Sequence, residues 1–100
     1  MSTFVVRYQI KPDQADENQR LVEKVFEELK AEAPDGFRYA TFRLEDGVSF
    51  IHIVTYENAG DPLGSSAAFQ EFQNAFADRM AAPPERGRAT VVGSYGFFGN

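Results

Sequence analysis

The chain has no cysteine, no tryptophan and a single histidine, His52, among its 100 residues. Without cysteine there is neither a disulfide framework nor a thiolate nucleophile. One imidazole, with no carboxylate pair at ligand spacing on a strand face, does not supply a transition-metal site, and no metal is expected. Gly60, Gly64, Gly93, Gly96 and Gly99 fit no phosphate-binding fingerprint, so no cofactor is expected. No Ser-His-acid order stands out. No apolar run approaches the roughly 20 residues of a membrane helix, and no charged-then-apolar leader opens the sequence. A soluble, cytoplasmic protein with no membrane partner is expected. Basic residues are also few, 10 against 15 acidic, for a net charge of −5. Phosphate tracking needs a basic stripe, whereas the arginines here are scattered, which argues against nucleic acid. The one locally basic run, Glu85-Arg86-Gly87-Arg88, reads as a solvated loop.

What the chain has in quantity is phenylalanine, ten copies. Its length suits a single domain spanning 1–100. The alternation Phe4, Val6, Tyr8, Ile10 predicts a first strand over Thr3–Ile10, stopped by Lys11-Pro12-Asp13. Leu21, Val22, Val25, Phe26 and Leu29 predict a helix from about Gln14 to Glu32, with Asp16 and Gln19 at capping-box spacing. Phe37–Glu45 and Val48–Tyr56 read as strands joined by a two-residue Asp46-Gly47 turn with positive φ at both positions. That register sets Arg43 opposite Phe50, Thr41 opposite His52 and Tyr39 opposite Val54. Ser65 or Ser66 can cap a second helix running to about Met80 on a stripe of Phe69, Phe72, Phe76 and Met80. A last strand is expected from about Arg88 to Phe97.

The order βαββαβ predicts a ferredoxin-like α+β plait, a four-stranded antiparallel sheet of strand order 4-1-3-2 with both helices on one face. The run Ser49–Tyr56 is apolar on both of its faces, so the sheet needs cover on two sides, and the chain has helices for one. A second copy is the expected second cover. Phe4, Val6, Tyr8, Ala40, Phe42, Ile51 and Ile53 are assigned to the helix-covered face. Val5, Arg7, Gln9, Tyr39, Thr41, Arg43, Phe50, His52, Val54 and Tyr56 are assigned to the open face, with Val5, Phe50 and Val54 at the dimer interface.

A strand ending in Lys11-Pro12, a helix closed by Ala33-Pro34-Asp35-Gly36-Phe37, a hairpin, and an aromatic strand end at Tyr56-Glu57-Asn58 resemble, in that order, the dimeric α/β-barrel superfamily and its antibiotic-biosynthesis-monooxygenase-like domains. The resemblance covers nearly the whole length. It implies homodimers paired sheet to sheet, and a small apolar ligand held between sheet and helices. Some members oxidise polyketide-like quinols or degrade haem without a conventional cofactor; others are isomerases, decarboxylases or proteins of no known activity. The chain departs from the monooxygenases in having Tyr56 where they often place Trp. It has Ser65-Ser66-Ala67-Ala68 where they commonly have His, and no Asn on the first strand where the haem-degrading members use one.

His52 is the side chain that titrates nearest neutrality, and it is expected beside Arg7 or Gln9. It either takes a proton from a phenol or activated methylene, or fills space and bonds to Thr41. Arg7 either stabilises the resulting anion or pairs with an acid, and Arg43 has the same two options with Glu45 or the partner chain. Tyr39 and Tyr56 suit an aromatic substrate or interface packing, and Gln9 and Thr41 complete the candidate binding set. The loop Asn58–Ser65 reads as a lid hinged at Gly60 and Gly64. Two functions therefore stand. One is a small cofactor-independent monooxygenase-like enzyme acting on an aromatic or polyketide-like molecule. The other is a non-catalytic dimeric domain that binds a small apolar ligand or only assembles.

Overall fold

A computed structural model describes residues 2–57 and 62–97. The chain runs β1 (Ser2–Gln9), α1 (Ala15–Glu32), β2 (Phe37–Arg43), β3 (Ser49–Tyr56), α2 (Ala67–Gln73), α3 (Phe76–Arg79) and β4 (Glu85–Ala89). Single 3-10 turns at Pro12–Gln14 and Pro62–Ser65 precede α1 and α2. All strand pairs are antiparallel and the order is β2-β3-β1-β4, which is the expected 4-1-3-2 seen from the other edge.

The hairpin has the expected register, with Arg43 opposite Phe50, Thr41 opposite His52 and Tyr39 opposite Val54. Its turn is longer than two residues. Leu44 donates to Ser49 O at 2.9 Å and Gly47 to Leu44 O at 3.0 Å, and of the four residues between only Gly47 has positive φ, 78°. Asp46 holds this loop by accepting from the Val48 and Ser49 amides and the Ser49 hydroxyl, the competing side-chain bonding for which turn aspartates are favoured.

Helix α1 buries Ala15, Asn18, Leu21, Val22 and Val25 on one stripe. Asp16 and Glu17 lie in its first turn and Lys30 in its last, as the macrodipole favours. The capping box does not form: Asp16 is inside the helix, and its carboxylate binds Arg43 at 3.0 Å. Ala33, in the left-handed region at φ 46°, ends the helix by returning its amide to Leu29 O. Ser66 caps α2 by accepting from the Phe69 amide, while Glu28 of α1 accepts from the Ser66 hydroxyl and the Ala68 amide. The single second helix expected to run to Met80 is instead two, broken at Asn74 and at Ala75 with φ 60°.

Cross-strand partners share a face, and β1 pairs with β3 so that Phe4 meets Val54, Val6 meets His52 and Tyr8 meets Phe50. Phe50, His52, Val54 and Tyr56, with Tyr39, Thr41 and Arg43, therefore face the helices beside Phe4, Val6 and Tyr8. The open face carries Val5, Arg7, Gln9, Ala40, Phe42, Ile51 and Ile53. This reverses the assignment made above for β2 and β3. The helix-facing set is aromatic and larger, so it removes more apolar area from water than the isoleucine face does. Phe50 and Val54, expected at a dimer interface, are buried in the core, whereas Val5 is on the open face.

A second reversal concerns the last strand. Glu85–Ala89 is β4, paired with Thr3–Arg7, although Glu85–Arg88 was expected as a loop, and the strand expected from Arg88 to Phe97 ends at Ala89. An edge strand is held by its backbone ladder and can be charged throughout, so apolar patterning does not reveal it. Beyond it Val92 and Tyr95 are fully exposed, and the Phe97 ring approaches Phe42 on the open face. No helix among the described residues is long and apolar enough to cross a membrane.

Candidate functional site

The middle of β3 carries a polar side chain, His52, among aromatic rings. His52 is 6% exposed and its ring lies 5.7 Å from that of Phe72, centroid to centroid. Tyr8, diagonal to it on β1, stacks on its own cross-strand partner Phe50 at 5.6 Å and meets Phe76 edge-on at 4.9 Å. Tyr39, on the β2 side, stacks on Phe26 of α1 at 4.9 Å.

Both imidazole nitrogens are bonded within the chain. Nε2 lies 2.6 Å from the Tyr8 hydroxyl, and Nδ1 lies 2.5 Å from the Tyr39 hydroxyl and 3.2 Å from Thr41 Oγ1. The series continues beneath the helices. Asn18 Nδ2 donates to the Tyr8 oxygen at 3.1 Å, and Arg79 Nε donates to Asn18 Oδ1 at 3.2 Å. Asn18 is wholly buried and Arg79 nearly so. Arg79 also donates to the carbonyls of Phe72 and Asn74 and lies over the Phe72 and Phe76 rings, which fixes the end of α2. No buried side-chain nitrogen or oxygen among the described residues lacks a partner.

Burial sets the protonation states. Loss of water around His52 lowers its pKa from 6.5 to about 4, so the ring is neutral at pH 7. Burial raises both Tyr8 and Tyr39 well above the ordinary phenol value and keeps them as hydroxyls. The site is a neutral histidine between two phenols, in aromatic surroundings. A surface cleft of about 340 Å³ between α1 and the α2–α3 region, lined by Glu17, Leu21, Glu71, Asp78 and Arg79 among others, reaches this network only through Arg79. Among the described residues no three His, Asp or Glu side chains cluster as metal ligands.

Of the residues anticipated for the site, His52, Tyr39 and Thr41 come together. Tyr56 stays on the same face near the sheet end, where its ring meets Phe4 and Phe37. Arg7 and Gln9 do not join them: both are exposed on the opposite face, so Arg7 cannot stabilise an anion formed at His52. Arg43 is on the helix side but bonds to Gly47 O, Asp16 and Gln19, tying the hairpin to α1. Tyr8, Asn18 and Arg79 were not anticipated. A signal for Asn18 was present, since an amide interrupts the apolar stripe of α1 between Ala15 and Leu21. Gly60, and Asn58 at the start of the lid suggested above, fall outside the described residues; of its remainder Leu63 is buried, while Gly64 and Ser65 are exposed.

No family model and no curated protein matches the chain. Solved structures do. A Nitrosomonas europaea protein assigned to the antibiotic biosynthesis monooxygenases superposes with a TM-score of 0.73 at 18% identity, over 91% of this chain and 89% of that one. One from Caulobacter crescentus CB15 gives 0.69 at 21% identity, over 92% and 90%. SnoaB from Streptomyces nogalater, a cofactor-independent oxygenase, gives 0.64 at 18% identity, over 93% and 94%. At these identities the likeness establishes the fold, the ferredoxin-like α+β arrangement of the antibiotic-biosynthesis-monooxygenase-like domains.

Proposed function

We propose that this chain is a small cofactor-independent monooxygenase-like enzyme of the cytoplasm, working as a sheet-to-sheet homodimer, with His52 as the proton acceptor. The observation that carries the reading is the neutral His52 held between the Tyr8 and Tyr39 hydroxyls in an aromatic interior. A histidine with a pKa of about 4 is always deprotonated at neutral pH but is a weak base. It therefore suits an acidic carbon, such as a methylene between aryl rings that also bear phenol or carbonyl groups. The carbanion would reduce dioxygen, combine with it as a hydroperoxide, and lose water to leave a carbonyl. One oxygen atom enters the product and the other leaves as water. The anion-stabilising role first given to Arg7 passes to the hydroxyls of Tyr39 and Thr41. Tyr56 would form an aromatic wall for the substrate. The half-exposed Val5, Ile51, Ile53 and Phe42 supply the apolar surface for the second copy.

The test is oxygen consumption and product mass with a panel of anthrone-type and quinol substrates, for wild type and His52→Ala. Turnover by wild type that His52→Ala loses supports the reading. Turnover unchanged in the variant removes His52 as base. A second reading, a non-catalytic dimer that binds a small apolar ligand or only assembles, is favoured by one observation: both ring nitrogens already have partners within the chain. It would be established by a dimer that turns over nothing in the panel.

A further inference from the structure

We infer that Arg79, acting through Asn18 and Tyr8, holds His52 in the tautomer whose proton is on Nδ1 and whose lone pair is on Nε2. A guanidinium can only donate, so the atom of Asn18 facing Arg79 Nε at 3.2 Å must be the carbonyl oxygen. The amide nitrogen of Asn18 then necessarily faces Tyr8, at 3.1 Å, and donates to its oxygen. Among the described residues the Tyr8 hydroxyl bonds to Asn18 and to His52 Nε2; Asn18 donates, so the Tyr8 proton has Nε2, 2.6 Å away, as its acceptor. Nε2 is thus unprotonated. A neutral ring then has its proton on Nδ1, where the oxygens of Tyr39 and Thr41 are within reach as acceptors. An Arg79 that merely capped α2 through the carbonyls of Phe72 and Asn74 would leave the tautomer unspecified.

This rests on the reading of His52 as proton acceptor, and it adds which nitrogen accepts and what decides it. The accepting edge faces β1 and is reached through the Tyr8 hydroxyl. The donating edge faces β2, where it can hydrogen-bond a developing oxyanion. Asn18 and Arg79 are positioning residues for that orientation, remote from any reacting atom.

The experiment is ¹⁵N NMR of the full chain labelled at histidine. His52 is the sole histidine, so the spectrum holds one imidazole. Wild type should show a protonated Nδ1 and an unprotonated Nε2 at neutral pH; the reverse overturns the inference. Asn18→Asp changes almost no volume but replaces the donor facing Tyr8 with an acceptor. The proton should then move to Nε2, because Tyr8 now donates to the carboxylate and accepts from the ring. A proton that stays on Nδ1 would show that Asn18 does not set the direction. Asn18→Leu, an apolar side chain on an apolar stripe, covers a failure of the Asp variant to fold. It should give a mixture of tautomers, and a pure Nδ1–H form again refutes the proposal. None of these readouts needs turnover. The expected tautomers with no activity would therefore sink only the enzymatic reading, and the opposite tautomer in an active wild type only the inference.

Discussion

Val6 of β1 and His52 of β3 are direct partners across the central strand pair, and both side chains project towards the helices. This pairing buries the imidazole and separates it from Arg7, one residue along β1 and on the other side of the sheet.

The first consequence is an acid instability to which the buried His52 contributes. Folded, the ring protonates near pH 4; unfolded, it protonates near 6.5. Between those values the unfolded state binds the extra proton, so stability falls as pH falls through the window. The lowered pKa corresponds to about 3 kcal/mol lost by pH 4. Urea denaturation at pH 7 and pH 4.5, for wild type and His52→Gln, should show a smaller acid loss in the variant. Equal losses would mean that the imidazole is solvated.

The face assignment can be tested with two charges placed on opposite faces of β3. Phe50→Asp puts an unpaired carboxylate in the core and should unfold the chain, at a cost of several kcal/mol. Ile53→Asp is on the half-exposed face and should leave a folded monomer if the proposed dimer forms through that face. Circular dichroism and solution mass separate the two results. A dimer that persists in folded Ile53→Asp would locate the interface elsewhere.

Arg79→Met should destabilise by about 2–4 kcal/mol, because the carbonyls of Phe72 and Asn74 and the Asn18 oxygen lose their donor together. Amide hydrogen exchange should quicken in α2 first. Uniform acceleration across the sheet instead would mean that the residue acts on the whole core.

Ser66→Ala removes the cap of α2 and one of the two anchors of Glu28, which those bonds hold below the usual carboxylate pKa. A loss of about 1–2 kcal/mol is expected in denaturant titration. The Glu28 pKa, followed by carbon NMR, should rise towards its ordinary value.

Local chemistry made the βαββαβ order, the first helix and the β2–β3 register legible in the sequence, because short-range signals such as Asp46-Gly47 determine them. The β1–β3 register has no such signal. Those strands are joined through a helix and another strand, and either parity gives an apolar face. Only the packing of Tyr8, Phe50, Phe72 and Phe76 together decides it. The candidate site inherited that error: His52, Tyr39 and Thr41 lie within one hairpin and were grouped correctly, while Arg7 needed the long-range register. Tyr8 read as core because its ring is core, and its hydroxyl gains meaning only once Asn18 is seen above it. The break in the second helix was hidden because Arg79, which stabilises it, is charged and sits beside the Phe76 and Met80 stripe.

The complete pairing of polar atoms around His52 also sets terms for any guest. A molecule entering there displaces a hydroxyl from a nitrogen or oxygen that already has a partner, so binding is an exchange of partners. A hydrocarbon of suitable shape would strand one buried group, at about 1–3 kcal/mol, or roughly 5- to 150-fold in Kd. A phenol of the same outline brings its own donor and acceptor and avoids that loss. The interior would thus sort ligands by their hydroxyl groups although most of its wall is hydrocarbon.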